Sequence, residues 1–417
     1  MGKQTLDGGT VLSYRDACET KVSPKLVFNS YMRGKPFIKR PDLLSSGFVP
    51  ETIPHRDSEI HALSLTLAPT LKGYKPNNIF LFGTVGTGKT ITVRFVLNEL
   101  NKAAEAAKRS IKTIYVNCKM KRTTDTEYRL LAAILKEFGV LVPETGLSTD
   151  CLYRRFFEAA AGRTVIIALD EIDALVRKSG DGFLYNLSRA EGNISLIGIT
   201  NNLNWKDGLD PRIKSSLAEE ELVFKPYNAA QLADILKARA RAALDIDVDD
   251  VVINKCAAIA AQEHGDARRA LELLRVSVET AEREGCETVL EEHVDTAEQK
   301  VDHDRITDAL RGQPKQSLAL LSSIFELNGT GKNGKWNDNR ILSGNVYGRY
   351  KECCARSGLK VLTQRRICDL TNELETIGII ETKVASKGRY GRTREISVCL
   401  DEGARLKAQR VLAEAGF

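Results

Sequence analysis

A glycine-rich loop set between an apolar strand and a helix constrains this chain more than any other feature. The residues run Asn78-Ile-Phe-Leu-Phe82, then Gly83-Thr-Val-Gly-Thr-Gly-Lys89-Thr90, then a helical stretch from Ile91 to Leu100. The loop matches G-x-x-x-x-G-K-[ST], and its flanks stand in the order that a phosphate-binding loop needs: buried strand, tight turn, helix N-terminus. Glycines let backbone N–H groups wrap an anion, and the helix end adds its own unpaired donors. Gly83, Thr84, Val85, Gly86, Thr87, Gly88 and Ile91 are therefore expected to cradle the phosphates of a nucleotide, ATP or ADP. Lys89 is expected to reach the β and γ oxygens, and the Thr90 hydroxyl to ligate Mg²⁺. The competing reading, a glycine-rich turn with an exposed lysine, leaves the strand and helix on either side unexplained.

Beyond this loop, short apolar runs alternate with longer amphipathic stretches: Thr113 to Val116, Val165 to Leu169, Ser195 to Thr200 and Leu222 to Phe224. Such alternation predicts an α/β P-loop domain, a parallel sheet with flanking helices. From Asn228 to about Leu310 strand signals stop and helical patterns follow one another, broken at His264-Gly265-Asp266 and at Gly285, which predicts an all-α domain. Arg311-Gly-Gln-Pro-Lys-Gln316 is a compositional break, after which helices precede a two-stranded ribbon. The 417 residues thus divide into three expected domains, 1–226, 227–312 and 313–417.

With 42% hydrophobic and 28% charged residues, each of these domains can build a core. No segment has the apolar length to span a bilayer, so no membrane partner is expected, and a cytoplasmic, nucleoid-associated location is. The nine cysteines are scattered, with one adjacent pair at Cys353 and Cys354 and no Cys-x-x-Cys spacing, which points to reduced thiols rather than a disulfide framework or a zinc site. Net charge is +6, yet Pro314 to Phe417 holds 18 Lys and Arg against 11 Asp and Glu, an excess of +7 that leaves −1 for the rest. The basic surplus belongs to the last domain, as expected if that domain meets a polyanion.

The strand Val165 to Leu169 ends in Asp170-Glu171, which puts two carboxylates at the C-terminal edge of a parallel strand, where such sheets bind ligands. Asp170 is expected in the Mg²⁺ shell and Glu171 as the group that activates water. At this point the residues resemble a known group: the two motifs look like the Walker A and Walker B elements of AAA+ ATPases. The resemblance implies that Asn201, after the strand Ser195 to Thr200, is a sensor-1 residue beside the γ-phosphate; a turn-forming asparagine is the alternative. It also implies that Arg268, opening a helix in Gly265-Asp-Ala-Arg268-Arg269-Ala270, is a sensor-2 arginine of a lid domain.

Five further stretches narrow the group. Phe48-Val-Pro-Glu-Thr-Ile-Pro-His-Arg56, Leu169-Asp-Glu-Ile-Asp-Ala-Leu175, Ile199-Thr-Asn-Asn202, Leu209-Asp-Pro-Arg-Ile-Lys-Ser-Ser-Leu217 and Gly265-Asp-Ala-Arg268 stand in order around the phosphate loop. Together they resemble the archaeal origin-recognition and cell-division-control replication initiators, from about Val27 onward. The resemblance implies an adenine pocket near Val49 to Arg56, with both of those residues lining it, magnesium, and double-stranded origin DNA as target. Where eukaryotic relatives carry two arginines in the segment equivalent to Arg212 to Ser216, this chain has Arg212 and then serine. Arg212 is the candidate for an arginine finger given to a neighbour's nucleotide.

The last domain reads as a winged helix. Leu318 to Phe325, Val346 to Arg356 and Thr363 to Thr376 are predicted helices, the third capped by Thr363 and stopped by Gly378. Its Ile367, Leu370, Leu374 and Ile377 form one apolar stripe, leaving Arg365, Arg366 and Asn372 toward solvent. Ile379 to Val384 and Glu395 to Leu400 are predicted strands, joined by a tip with Lys387, Arg389, Tyr390, Arg392 and Arg394. Arg365 and Arg366 are expected in a major groove and the tip on the backbone or minor groove, although a basic tip can also be only a solubilising turn.

Between Asn117 and Tyr153 the chain holds more helical sequence than a minimal link needs, with Lys119, Lys121, Arg122 and the amphipathic run Thr126 to Phe138. The resemblance to origin-binding relatives, which have an inserted helical element here, implies that it also touches DNA. The leading reading is an ATP-regulated origin binder that hydrolyses ATP slowly, helps to recruit a replicative helicase and shares its site with paralogous subunits. Two others stay open: a DNA-binding protein with a permanently bound structural nucleotide, and a clamp-loader-like or antiviral ATPase whose winged helix binds protein.

Overall fold

The computed structural model describes residues 35–119, 126–143, 146–189, 192–202, 205–217, 219–329, 340–386, 392–400 and 402–417. They form two compact units, Met1–Val294 and Asp295–Phe417. Among the described residues no helix is long and apolar enough to cross a membrane.

The first unit is organised by a five-stranded sheet: β1 (Asn78–Phe82), β2 (Ile111–Asn117), β3 (Thr164–Asp170), β4 (Ile194–Thr200) and β5 (Glu219–Val223). The spatial order is β2-β3-β4-β1-β5 and every pairing is parallel. All seven residues of β3 and of β4 are buried, because both faces of a parallel sheet are covered and the strands must be apolar throughout. Val165, Ile167 and Leu169 pack with Leu130 and Ile134 of α4 (Glu127–Glu137) and with Leu152 and Phe156 of α5 (Thr149–Ala160). Ile166 and Ala168 turn to the other face, against Leu63 and Leu67 of α2 (Asp57–Leu67) and Val93 and Leu97 of α3 (Lys89–Ala106). Full burial of each such side chain is worth about 1.5–3 kcal/mol, so these contacts hold the sheet between its two helical layers.

Helices α6 (Ile172–Ser179), α7 (Gly182–Ser188) and α8 (Pro211–Ser216) complete this layer. A helical bundle follows, α9 (Ala229–Ala243), α10 (Asp250–Gln262) and α11 (Ala267–Glu284), and α12 (Glu291–Arg311) runs on across the boundary into the second unit. Asn228 and Gln231 cap α9 reciprocally, Asp249 and Asp266 cap α10 and α11, and Gly285 ends α11 in the left-handed conformation. The stretch around the short helix α1 (Pro41–Leu44) is held to this bundle. Lys39 N and Arg40 N donate to Ala243 O at 2.9 and 3.0 Å, and the buried Arg239 donates to Leu43 O at 3.2 Å and Phe48 O at 3.3 Å.

The second unit holds α13 (Lys315–Asn328), α14 (Ser343–Ser357) and α15 (Gln364–Thr376), followed by β7 (Ile380–Ser386) and β8 (Arg392–Val398). A two-residue strand β6 (Ile341–Leu342) joins β8, giving the antiparallel order β6-β8-β7. The Thr363 side chain accepts from Arg366 N, as a cap should, and Ile367, Leu370 and Leu374 enter the core. A further helix, α16 (Glu402–Glu414), not expected from the sequence, closes that core with Ala404, Ala408, Val411 and Leu412.

Candidate functional site

β1 delivers the chain into the glycine loop, and α3 begins at Lys89 with Gly88 as its cap at φ 90°. A side chain at Gly88 would need the strained left-handed region, and its Cβ would meet the Tyr227 hydroxyl at 2.7 Å. Lys89 Nζ donates to Gly83 O at 2.8 Å and Thr84 O at 2.7 Å. Burial lowers its pKa to about 8, with Arg268 and Arg56 acting in the same direction and Asp170 and Asp266 against it. An ammonium desolvated in this way gains from an added anion.

β3 ends at Asp170, beside the loop. Its Oδ2 accepts from the Thr90 hydroxyl at 2.8 Å and from the Tyr115 hydroxyl at 2.6 Å, and its Oδ1 from Glu171 N at 2.9 Å. Tyr115 was not singled out from the sequence; it stands on β2, the strand paired with β3. Burial, then the bond to Asp170, pushes its pKa above the usual phenol range, so it stays a donor. Glu171 has φ 54° and ψ 45°, an uncommon conformation for a non-glycine residue, with Lys119 Nζ 3.3 Å from its Oε2. The Thr90 and Asp170 oxygens form the hard donor set that a small divalent cation takes together with phosphate oxygens.

These groups line one end of a cavity of about 820 Å³, together with Asn201, which follows β4, and Arg268, at the start of α11. Phe48, Ile53, Ile91, Ile235 and Leu271 add apolar walls, and Arg40, Glu51, Asp234 and Arg239 charged ones. A pocket of this size, with both polar and apolar walls, suits a phosphorylated ligand with a planar apolar base.

Several expected residues lie elsewhere. Phe48 and Pro50 line the cavity, whereas Val49 and Arg56 do not. Arg56 is buried behind the loop: Nε donates to Thr87 O at 3.0 Å and Tyr227 Oη at 3.1 Å, Nη1 to Glu59 Oε1 at 2.9 Å, and Nη2 to Lys225 O at 2.7 Å. Its guanidinium also lies 4.0 Å from the Tyr227 ring centroid. Arg212, at the start of α8, is exposed and outside the cavity lining.

In the second unit, Arg365 and Arg366 are exposed at the start of α15. Arg366 Nη1 is 3.6 Å from Asp369 and Nη2 3.9 Å from Glu373, whereas Arg394 Nη1 donates to Asn372 Oδ1 at 2.6 Å. Arg392 opens β8; Lys387, Arg389 and Tyr390, like Lys121 and Arg122, lie outside the described residues.

One further cluster brings Glu284, Cys286 and His293 together. Leu290 N donates to His293 Nδ1 at 2.9 Å, so the neutral ring keeps its proton on Nε2, the nitrogen that faces Glu284 and Cys286. That proton occupies the position a metal would need, and the ring acts instead as a cap for the turn before α12.

Comparison with known proteins agrees with this architecture. Residues 73–203 match the family described as AAA domain, 233–299 the Cdc6 AAA+ ATPase-type lid domain, and 308–408 the CDC6 C terminal winged helix domain. The chain is similar to the ORC1-type DNA replication protein of Thermococcus onnurineus, at 46% identity over 382 residues, covering 89% of this chain and 90% of that protein. It is 44% identical over 380 residues to ORC1-type DNA replication protein 1 of Methanosarcina acetivorans, with 89% and 90% covered. Among solved structures, the Aeropyrum pernix ORC1 protein in complex with DNA superposes with a TM-score of 0.80 at 41% identity, covering 91% of this chain and 98% of that one. At this level of identity and coverage, the chain belongs to the family of Cdc6 and ORC1-type DNA replication proteins, built from an AAA domain, a lid and a winged helix.

Proposed function

We propose that this protein is a nucleotide-gated binder of duplex DNA at replication origins, which hydrolyses ATP slowly as a switch and helps to recruit a replicative helicase. One observation carries the reading: Lys89, Thr90 and Asp170 from the sheet side and Arg268 from α11 meet at one end of a single cavity. A nucleotide held there touches both the sheet and the bundle, so its phosphate count can set how the two meet. The loop glycines and Lys89 hold the phosphates, Phe48 and Ile53 wall the base, and Asn201 and Arg268 approach the terminal phosphate. A magnesium ion held by Thr90 and Asp170 would supply positive charge to the phosphate oxygens. Glu171 orients the attacking water and takes its proton. Arg212, exposed outside the cavity, is free to serve the nucleotide of a paralogous subunit on the same DNA.

The DNA half of the proposal is supported by the basic surplus of the last 104 residues, by the winged-helix form and by the A. pernix relative solved in complex with DNA. The test is single-turnover hydrolysis with and without origin-containing duplex, beside duplex footprinting in ATP and in ADP. ATP should lose its γ-phosphate over minutes, more slowly by orders of magnitude in Glu171→Gln, and the footprint should change with the nucleotide. An unchanged footprint and no γ-phosphate release would instead identify a permanently bound structural nucleotide.

A further inference from the structure

The outward surface of α15 divides into two flanks. On one, Arg366 shares its charge with Asp369 and Glu373 of its own helix, at 3.6 and 3.9 Å. On the other, Arg365, Cys368 and Arg394 of β8 rim a hollow of about 170 Å³ floored by Val346, Tyr347 and Ile367. The Tyr347 hydroxyl donates to Leu362 O at 3.1 Å, so its proton is committed inward.

Asn372 stands one turn beyond Cys368 and takes a hydrogen bond from Arg394 Nη1 on its Oδ1, at 2.6 Å. A guanidinium can only donate, which settles the orientation of the amide: its carbonyl faces Arg394 and its two N–H groups face away. Arg365, Asn372 and Arg394 therefore offer a base edge donors, around a mainly apolar hollow that Ser343, Gln364 and Thr371 also line. In the major groove cytosine presents an amino group, adenine an amino group beside the N7 acceptor, guanine two acceptors, and thymine an acceptor beside a methyl group.

We propose that this flank reads a thymine, with O4 accepting from the Asn372 amide and the C5 methyl seated in the hollow. Asn372 is the specificity-determining residue and Arg394 the positioning residue. By holding the Asn372 carbonyl, Arg394 denies it the two-bond contact to adenine N6 and N7 that a free asparagine makes. The inference rests on the proposal that this unit binds duplex DNA.

The test selects duplexes from a randomised library with the full chain, in wild type, Asn372→Ala and Arg394→Met, all surface changes. Each thymine of the wild-type selected duplex is then replaced by deoxyuridine. One replacement should weaken binding roughly fourfold, the effect of one buried methyl. Asn372→Ala should lose the preference at that base pair alone. Arg394→Met should weaken binding to all sequences, through its lost charge, and turn the preference at that base pair toward adenine. Selection of guanine there, with deoxyuridine harmless everywhere, overturns the assignment of thymine. An unchanged preference in Arg394→Met overturns its positioning role. If no duplex is enriched and none is bound at low salt, the DNA-binding proposal itself falls.

Discussion

The Thr90 hydroxyl donates to Asp170 Oδ2 across 2.8 Å, joining the end of the phosphate loop to the end of β3. These two oxygens come from positions 80 residues apart in sequence, and only the parallel sheet brings them together. With Tyr115 on the same carboxylate oxygen and Glu171 N on the other, Asp170 is held in one orientation before any cation arrives. Such pre-organisation lowers the cost of assembling a metal site.

Asp170→Asn keeps this size and most of these contacts but removes the charge. ADP affinity measured by titration of a fluorescent analogue should then lose its dependence on Mg²⁺, falling at least roughly tenfold toward the value seen in chelator. A variant that responds to Mg²⁺ as wild type does would place the cation elsewhere.

Lys89 gives a pH dependence with a definite sign. Its pKa is lowered to about 8 by burial, so the nucleotide-free protein loses this proton far below the ordinary lysine value of 10.5. Phosphate oxygens favour the charged form and raise the pKa again, so binding takes up a proton, and affinity falls as pH rises through 8. Calorimetry in two buffers of different ionisation enthalpy should show proton uptake growing between about pH 7.5 and about pH 9. Without nucleotide the sign for stability is opposite. The unfolded chain binds more protons between 8 and 10.5, so the penalty of the buried charge is present below 8 and is relieved as pH rises through that window. Binding heats that do not depend on the buffer at either pH would count against Lys89 as the titrating group.

Arg56 holds the loop from behind. Arg56→Met would leave the Glu59 carboxylate, 12% exposed, with the Ser58 hydroxyl on Oε2 but no cation on Oε1, and would take the Arg56 donors from the Thr87 and Lys225 carbonyls. Removing one partner of a buried ion pair costs about 3–5 kcal/mol, so denaturant unfolding of the nucleotide-free protein should show a loss of that order. Arg56→Lys should recover only part of it, because one ammonium cannot reach four acceptors set around a planar fork. A loss under about 1 kcal/mol would mean that the loop does not depend on this network.

What could be read from sequence was local. The phosphate loop, the fully apolar β3 and the Asp170-Glu171 pair are contiguous patterns, and the stripe of Ile367, Leu370 and Leu374 lies within one helix. What escaped was tertiary. Arg56 was read with the adenine pocket, but its partners Thr87, Lys225 and Tyr227 lie 31, 169 and 171 residues away. The Tyr115 bond to Asp170 spans 55 residues, and nothing in the spacing of β2 announces it. Arg394 looked like one more cation of a basic tip, and its Asn372 partner is visible only once the hairpin folds back on α15. Two signals were present and unused: the carboxylates at Asp369 and Glu373, three and seven residues after Arg366, and the spacing of Ala404, Ala408, Val411 and Leu412.

The start of α11 is built directly on the phosphate loop, at Gly86. This glycine has φ 74°, its carbonyl accepts from Ala267 N at 3.2 Å, and a Cβ added to it would fall 1.7 Å from Asp266 Oδ1. Asp266 in turn caps α11 by accepting from Arg268 N at 2.8 Å. A methyl at position 86 therefore acts twice, through a left-handed backbone cost of about 1–2 kcal/mol and through a collision that drives the start of α11, and Arg268 with it, off the loop. Asp266→Ala alone should cost only a helix cap, about 1 kcal/mol. In the double variant the carboxylate is gone and the collision is relieved, leaving the backbone strain and the lost cap. Gly86→Ala/Asp266→Ala should then bind nucleotide more tightly than Gly86→Ala, a coupling that a double-mutant cycle on ADP affinity reads directly. If the two losses simply add, the loop and α11 do not communicate through this pair.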